Sequence, residues 1–166
     1  MVELLQVLSI LLVAVTMGLA LAHGLELPGK LRLPKETYLR VKQIYYPGFT
    51  IGGICEPLAI LAVFLLAIVA PLAAAASWLT LASLLGLIVM HAAYWILIHP
   101  INNFWLTDVE VSGLGADFFL SHRGGRAAAA EPRDWTALRD RWEYSHAIRA
   151  VLGLLSLAAL AAEVTA

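Results

Sequence analysis

Four stretches of this chain carry almost nothing but apolar side chains, over lengths close to the ~20 residues that an α-helix needs to cross ~30 Å of hydrocarbon. They are residues 4–22, 49–70, 78–98 and 143–162. In the first, the polar members are Gln6, Ser9 and Thr16; in the third, His91 is the chief interruption. The second contains Glu56, and the fourth reaches spanning length only if it begins near Glu143. Charged residues make up 14% of the chain, against roughly 25% in an average soluble domain, which argues against a water-soluble globule. In lipid, a single segment satisfies its backbone polar groups by forming a helix. The expected fold is all-α: an integral membrane four-helix bundle, with residues 1–166 as a single membrane domain. Residues 4–22 read as a span and not as a cleaved leader, because Glu3 and no basic residue precede them and the apolar run is long for a leader.

Charge excludes some functions and sets an orientation. The formal net charge of -1 leaves no electrostatic footprint for nucleic acid, so nucleic-acid binding is not expected. Cys55 is the only cysteine, so no intrachain disulfide can form. Lys30, Arg32, Lys35, Arg40 and Lys42 fall in the first loop (23–48), and Arg123, Arg126, Arg133, Arg139 and Arg141 in the third (99–142). The loop between the second and third spans has none. Lys and Arg in short loops favour the cytoplasmic side, so both basic loops are expected there and both termini outside. The lipid bilayer is the expected environment, the inner membrane if the source is bacterial.

Within the first loop, Pro34 suits a first helical turn, and Tyr38, Val41 and Tyr45 recur at helical spacing among charged residues, which predicts an interfacial helix. Tyr45 and Tyr46 fit the aromatic belt of a membrane surface. Residues 47–53 are rich in helix breakers and predict an irregular start to the second span. Glu56 precedes Pro57, a position disfavoured in a helix, which puts Glu56 near where the helix proper begins. Residues 121–130 read as a flexible surface segment without chemistry. Asp134 provides an N-cap, after which the fourth helix begins well before its span.

The functional signal is a layer of ionisable residues at span ends, which are costly in hydrocarbon. His23 and Glu26 end the first span, Glu56 begins the second, His99 ends the third, and Glu143, His146 and Arg149 open the fourth. All fall on the side of the basic loops. His23 and Glu26, Glu143 and His146, and His146 and Arg149 are each three apart and share helical faces. Three histidines and three glutamates from four helices resemble the ligand supply of bundle-core metal sites. The expected metal ligands are His23, Glu26, Glu56, His99, Glu143 and His146, with a transition metal (iron, copper or zinc) favoured over calcium or magnesium because imidazole suits it. A haem held by a histidine pair is an alternative. His91, deeper in the third span, is expected to line the cavity wall or bond a neighbouring helix.

The run 99–105, His-Pro-Ile-Asn-Asn-Phe-Trp, closes the third span, and Trp142, His146 and Arg149 open the fourth. In these features and in the order and size of its spans, the chain resembles the anthrone oxygenase-like family of small four-span membrane proteins, most of which are catalogued as a domain of unknown function. The matching residues are Pro100, Asn102, Trp142, His146 and Arg149. The resemblance implies a helical membrane bundle and, in the characterised fungal branch, metal-independent oxygenation of activated aromatic carbons. The stretch from His23 to Glu56 does not map onto those fungal enzymes. The expected function is thus a polar, metal-binding pocket at the cytoplasmic ends of the helices, in an oxygenase-like enzyme acting on an aromatic or lipid-like molecule. In that reading His146, Arg149 and Asn102 are catalytic, Arg149 binding an anionic oxygen and Asn102 orienting the substrate. Two alternatives stand beside it: a cofactor-free oxygenase in which His146 is the general base, and a non-enzymatic ligand-binding bundle.

Overall fold

The computed structural model describes residues 1–45, 48–69, 77–105 and 134–165. The elements are α1 (Val2–Lys30), α2 (Lys35–Lys42) with a 3-10 turn (Gln43–Tyr45), α3 (Gly48–Val69), α4 (Ser77–Ala93), a π-helical turn (Tyr94–Ile98) leading into α5 (His99–Trp105), and α6 (Trp135–Thr165). No strand occurs among the described residues. Four helical stretches are long and apolar enough to cross a membrane: Val2–Lys30, Gly52–Val69, Ser77–Asn102 and Trp135–Thr165. The protein is an all-α integral membrane four-helix bundle, with α2 as the helix expected in the first loop. The spans pack in a ring, α1 on α6, α6 on α4, α4 on α3 and α3 back on α1. The carboxyl ends of α1 and α4 therefore meet the amino ends of α3 and α6, and the ionisable residues collect at that end.

The bundle is apolar outside. Leu8, Leu11, Val15, Leu61, Phe64, Leu85, Ile88, Val151 and Leu155 are exposed, whereas Ser9, Thr16, Thr80, Ser83 and Ser156 are buried between helices. Lipid tails give no hydrophobic drive for helix association, so membrane helices join through small and hydroxyl-bearing faces. Gly86 follows that rule: a Cβ there would stand 2.3 Å from Ser156 Oγ, so α4 and α6 touch through it.

Two expectations change at the helix ends. The first helix runs past residue 22 to Lys30, carrying His23 and Glu26 on helical backbone. The second span has no irregular start: α3 is continuous from Gly48, with Pro57 inside it. Packing overrides local propensity there, since α3 lies so close to α1 that a Cβ on Gly52 would fall 2.2 Å from Leu19 Cδ1. Pro57 has no N–H, so the Gly53 carbonyl loses its helical partner. Within the π-helical turn, the Ile96 carbonyl accepts from Arg141 Nη2 at 3.0 Å. Asp134 caps α6 as expected, accepting from Thr136 N and Ala137 N, each at 3.1 Å. The expectations for Tyr46, Pro47 and residues 121–130 lie outside the described residues.

Candidate functional site

A cavity of about 70 Å³ opens between the helices at the basic end, room for several waters or part of a small molecule. α1 gives Thr16, Leu19, Ala20 and His23; the α2 region gives Lys42 and Tyr45; α3 gives Phe49, Gly52, Gly53 and Glu56. The opposite wall is Tyr94, Ile98, Asn102 and Trp105, with Trp142, His146 and Arg149 from α6. Helical spacing brings Trp142, His146 and Arg149 onto one stripe of α6, and Tyr38, Lys42 and Tyr45 onto one stripe of the first-loop helix.

Behind the cavity, Glu143 is fully buried. Its Oε1 accepts from Tyr38 and Lys42, each at 2.8 Å, and Lys30 Nζ stands 3.6 Å from its Oε2. Lys30 also pairs with Glu26 at 2.7 Å, and Glu26 accepts the Tyr45 hydroxyl. Burial, reinforced by Glu143, pushes the Tyr38 phenol far above its usual range, and burial with Glu26 does the same for Tyr45, so both stay donors. Burial drags the Lys42 ammonium down from the ordinary lysine range while Glu143 opposes that pull. Lys42 also lies over the Trp142 ring. Deeper in, Arg149 Nη2 donates to Glu56 Oε2. Lys30, Lys42 and Arg149 thus face Glu26, Glu143 and Glu56, and the cluster is charge-balanced.

The histidines are set by these cations. Arg149 Nη1 lies 3.2 Å from His146 Nδ1, and Lys30 Nζ lies 3.3 Å from His23 Nδ1. A guanidinium and an ammonium only donate, so each Nδ1 accepts and each neutral ring carries its proton on Nε2. The two rings face each other at 4.1 Å between centroids. His146 Nε2 and Trp105 Nε1 are buried with no hydrogen-bond partner, and both residues line the cavity. Glu56 Oε1 is likewise unbonded, with His91 Nδ1 3.5 Å away. All three atoms belong to residues of the cavity lining, and each is itself closed off from solvent.

Of the residues singled out in the sequence, His23, Glu56, Asn102, His146 and Arg149 line the cavity. Glu26 and Glu143 stand behind it with Lys30. His99 is apart, its ring against Trp95 at 4.6 Å and Tyr94 at 6.0 Å. Asn102 is tied at both ends, accepting from Trp142 Nε1 at 3.0 Å and facing the Tyr94 hydroxyl at 3.5 Å, so it braces the cavity wall. Among the described residues no three His, Cys, Asp or Glu side chains form a group able to hold a metal ion. Lys30 and Lys42 were legible in the sequence only as loop charges; the signal for their inward role was the shared face of Tyr38, Lys42 and Tyr45, and the i, i+4 spacing of Glu26 and Lys30. No family model, curated protein or solved structure matches the chain.

Proposed function

We propose that the cavity binds an aromatic or lipid-like molecule through a carbonyl or phenolic oxygen and removes a proton from an activated carbon, which dioxygen then attacks without a metal. The observation that carries this is the pairing of one unbonded carboxylate oxygen, Glu56 Oε1, with the unpartnered donors His146 Nε2 and Trp105 Nε1 in the lining of one cavity. Glu56 is the base. His146, whose Nδ1 is occupied by Arg149, stabilises the oxyanion as a neutral donor, a more fitting part for it than the general base of the cofactor-free alternative. For a methylene beside an aryl ketone, the carbanion gives two electrons to dioxygen, a hydroperoxide forms, and loss of water leaves a carbonyl: CH2 plus O2 yields C=O plus H2O. The charge-balanced cluster around the cavity favours a neutral substrate whose charge develops during reaction.

Anthrone, an aryl ketone that enolises at its methylene carbon, is a suitable probe. The full chain in nanodiscs should speed deuterium uptake at that carbon in oxygen-free D2O over a protein-free control. Glu56→Gln should lower this by about 10²–10⁴-fold, the usual scale of general-base catalysis. Probe binding without faster exchange, by protein whose melting is unchanged, would make the cavity a binding site only.

We also propose that the pocket end faces the cytoplasm and both termini face outward, supported by the ten basic residues of the first and third loops. Reporter fusions at residue 166 and within 121–130 test this: a cytoplasm-dependent reporter should be active only at the second position.

A further inference from the structure

His91 lies midway along the third span, where an ionisable side chain is expensive unless it is partnered. It stands outside the cavity lining, and the chemistry proposed above does not use it. Two contacts define it. Trp95, one turn on, lies with its indole Nε1 2.9 Å from His91 Nε2. An indole N–H has no acceptor capacity, so Nε2 accepts and the neutral ring carries its proton on Nδ1. That nitrogen makes no hydrogen bond and lies 3.5 Å from Glu56 Oε1, the carboxylate oxygen that Arg149 leaves free. The backbone changes character at the same place, since the π-helical turn starts at Tyr94, and single π turns inside α-helices concentrate at functional sites.

We propose that His91 is a positioning residue for Glu56: Trp95 fixes its tautomer, and its Nδ1–H aims the second carboxylate oxygen, so that α4 and α6 grip Glu56 from both sides. This rests on the reading of Glu56 as the base. The carboxylate oxygen keeps a second lone pair for the substrate proton. The 3.5 Å separation is a loose version of a contact of the kind that tightens when substrate fills a site. His91 thus has the opposite tautomer to His23 and His146, because an indole donates to its Nε2 whereas cations donate to their Nδ1.

The opposite tautomers make a direct test. In nanodisc-embedded full chain labelled with 15N-histidine, and assigned by single His→Gln variants, His91 should show a protonated Nδ1 and a bare Nε2. His23 and His146 should show the reverse. Trp95→Phe should abolish the Nδ1–H preference of His91 alone. In the anthrone exchange assay, His91→Phe should lose about tenfold, the scale of one hydrogen bond. His91→Asn, whose amide N–H takes the place of Nδ1–H, should recover most of that loss. A wild-type His91 protonated on Nε2, or equal exchange by the Asn and Phe variants, overturns the proposal. The tautomers are read without ligand, so this failure is distinct from that of the base reading, which would show as Glu56→Gln exchanging anthrone at the wild-type rate.

Discussion

His23 and His146 face each other across the α1–α6 seam with ring centroids 4.1 Å apart, and each has a cationic side chain at its Nδ1. The arrangement turns two potential metal ligands or bases into donors. It also ties the pocket to the lysine cluster, because Lys30 reaches His23, Glu26 and Glu143 together.

The first prediction follows from that donor role. His146→Gln keeps an N–H at the cavity and should retain affinity for anthrone within about a few-fold. His146→Leu removes the donor and leaves Arg149 Nη1 short of an acceptor, and should cost about 1–3 kcal/mol of binding. Quenching of the Trp105 and Trp142 fluorescence by the probe reads both. Equal affinity in the two variants would show that the ligand does not use this nitrogen.

The second concerns the fully buried Glu143. Lys42→Met takes away the carboxylate's nearest cation, and breaking a buried pair from one side costs about 3–5 kcal/mol. Glu143→Gln alone strands Lys42, while Lys30 keeps Glu26. The double variant should be closer to wild type than the sum of the singles, since both charges go together. Thermal unfolding in matched detergent measures the cycle, and strict additivity would mean that the 2.8 Å contact is not a coupled pair.

The spans and the one-ended collection of ionisable residues were legible in the sequence, because apolar length and the cost of charge in lipid are properties of single segments. Partner choice was not. Glu26 and Lys30 pair one turn apart on α1, but the groups that balance Glu143 and Glu56 come from other helices or from the first-loop helix, and only the fold brings Lys42 to Glu143. The glycine run was legible only as a set of helix breakers, not as the place where Gly52 meets Leu19. It did not show that the helix would run straight through, because tertiary contact with α1 offsets the weak helix propensity of Gly52 and Gly53. Gly86 carried no signal of its tight contact with Ser156, which lies on a helix 70 residues away in sequence.

The third prediction is a pH effect at the start of α6. The Thr136 hydroxyl, with the Ala137 and Thr136 amides, holds the Asp134 carboxyl below the usual aspartate range. A depressed folded-state value means that the cap stabilises the helix at neutral pH and is lost as pH falls through and below the ordinary aspartate value. Amide exchange at Thr136 and Ala137, corrected for intrinsic rates, should rise over that acidic window. Asp134→Ala should show the raised exchange already at neutral pH and no further change on acidification.

The last prediction separates the metal expected from the sequence from the metal-free chemistry proposed above. A divalent cation at His23, Glu56 and His146 would have to approach Lys30, Lys42 and Arg149, and Coulomb repulsion at a few ångströms is large inside a bundle. To ligate through Nε2, neutral His146 and His23 would also have to carry their protons on Nδ1 and so give up the contacts from Arg149 and Lys30. Each carboxylate already has a cationic partner, so the usual gain from satisfying stranded ligands is absent. Protein purified without a polyhistidine tag should therefore carry iron, copper and zinc well below one equivalent, and chelation should leave both its melting and its acceleration of anthrone exchange unchanged. One equivalent of a transition metal, lost in His146→Ala and in Glu56→Ala but kept in His122→Ala, would overturn this reading and restore the histidine and glutamate residues as ligands.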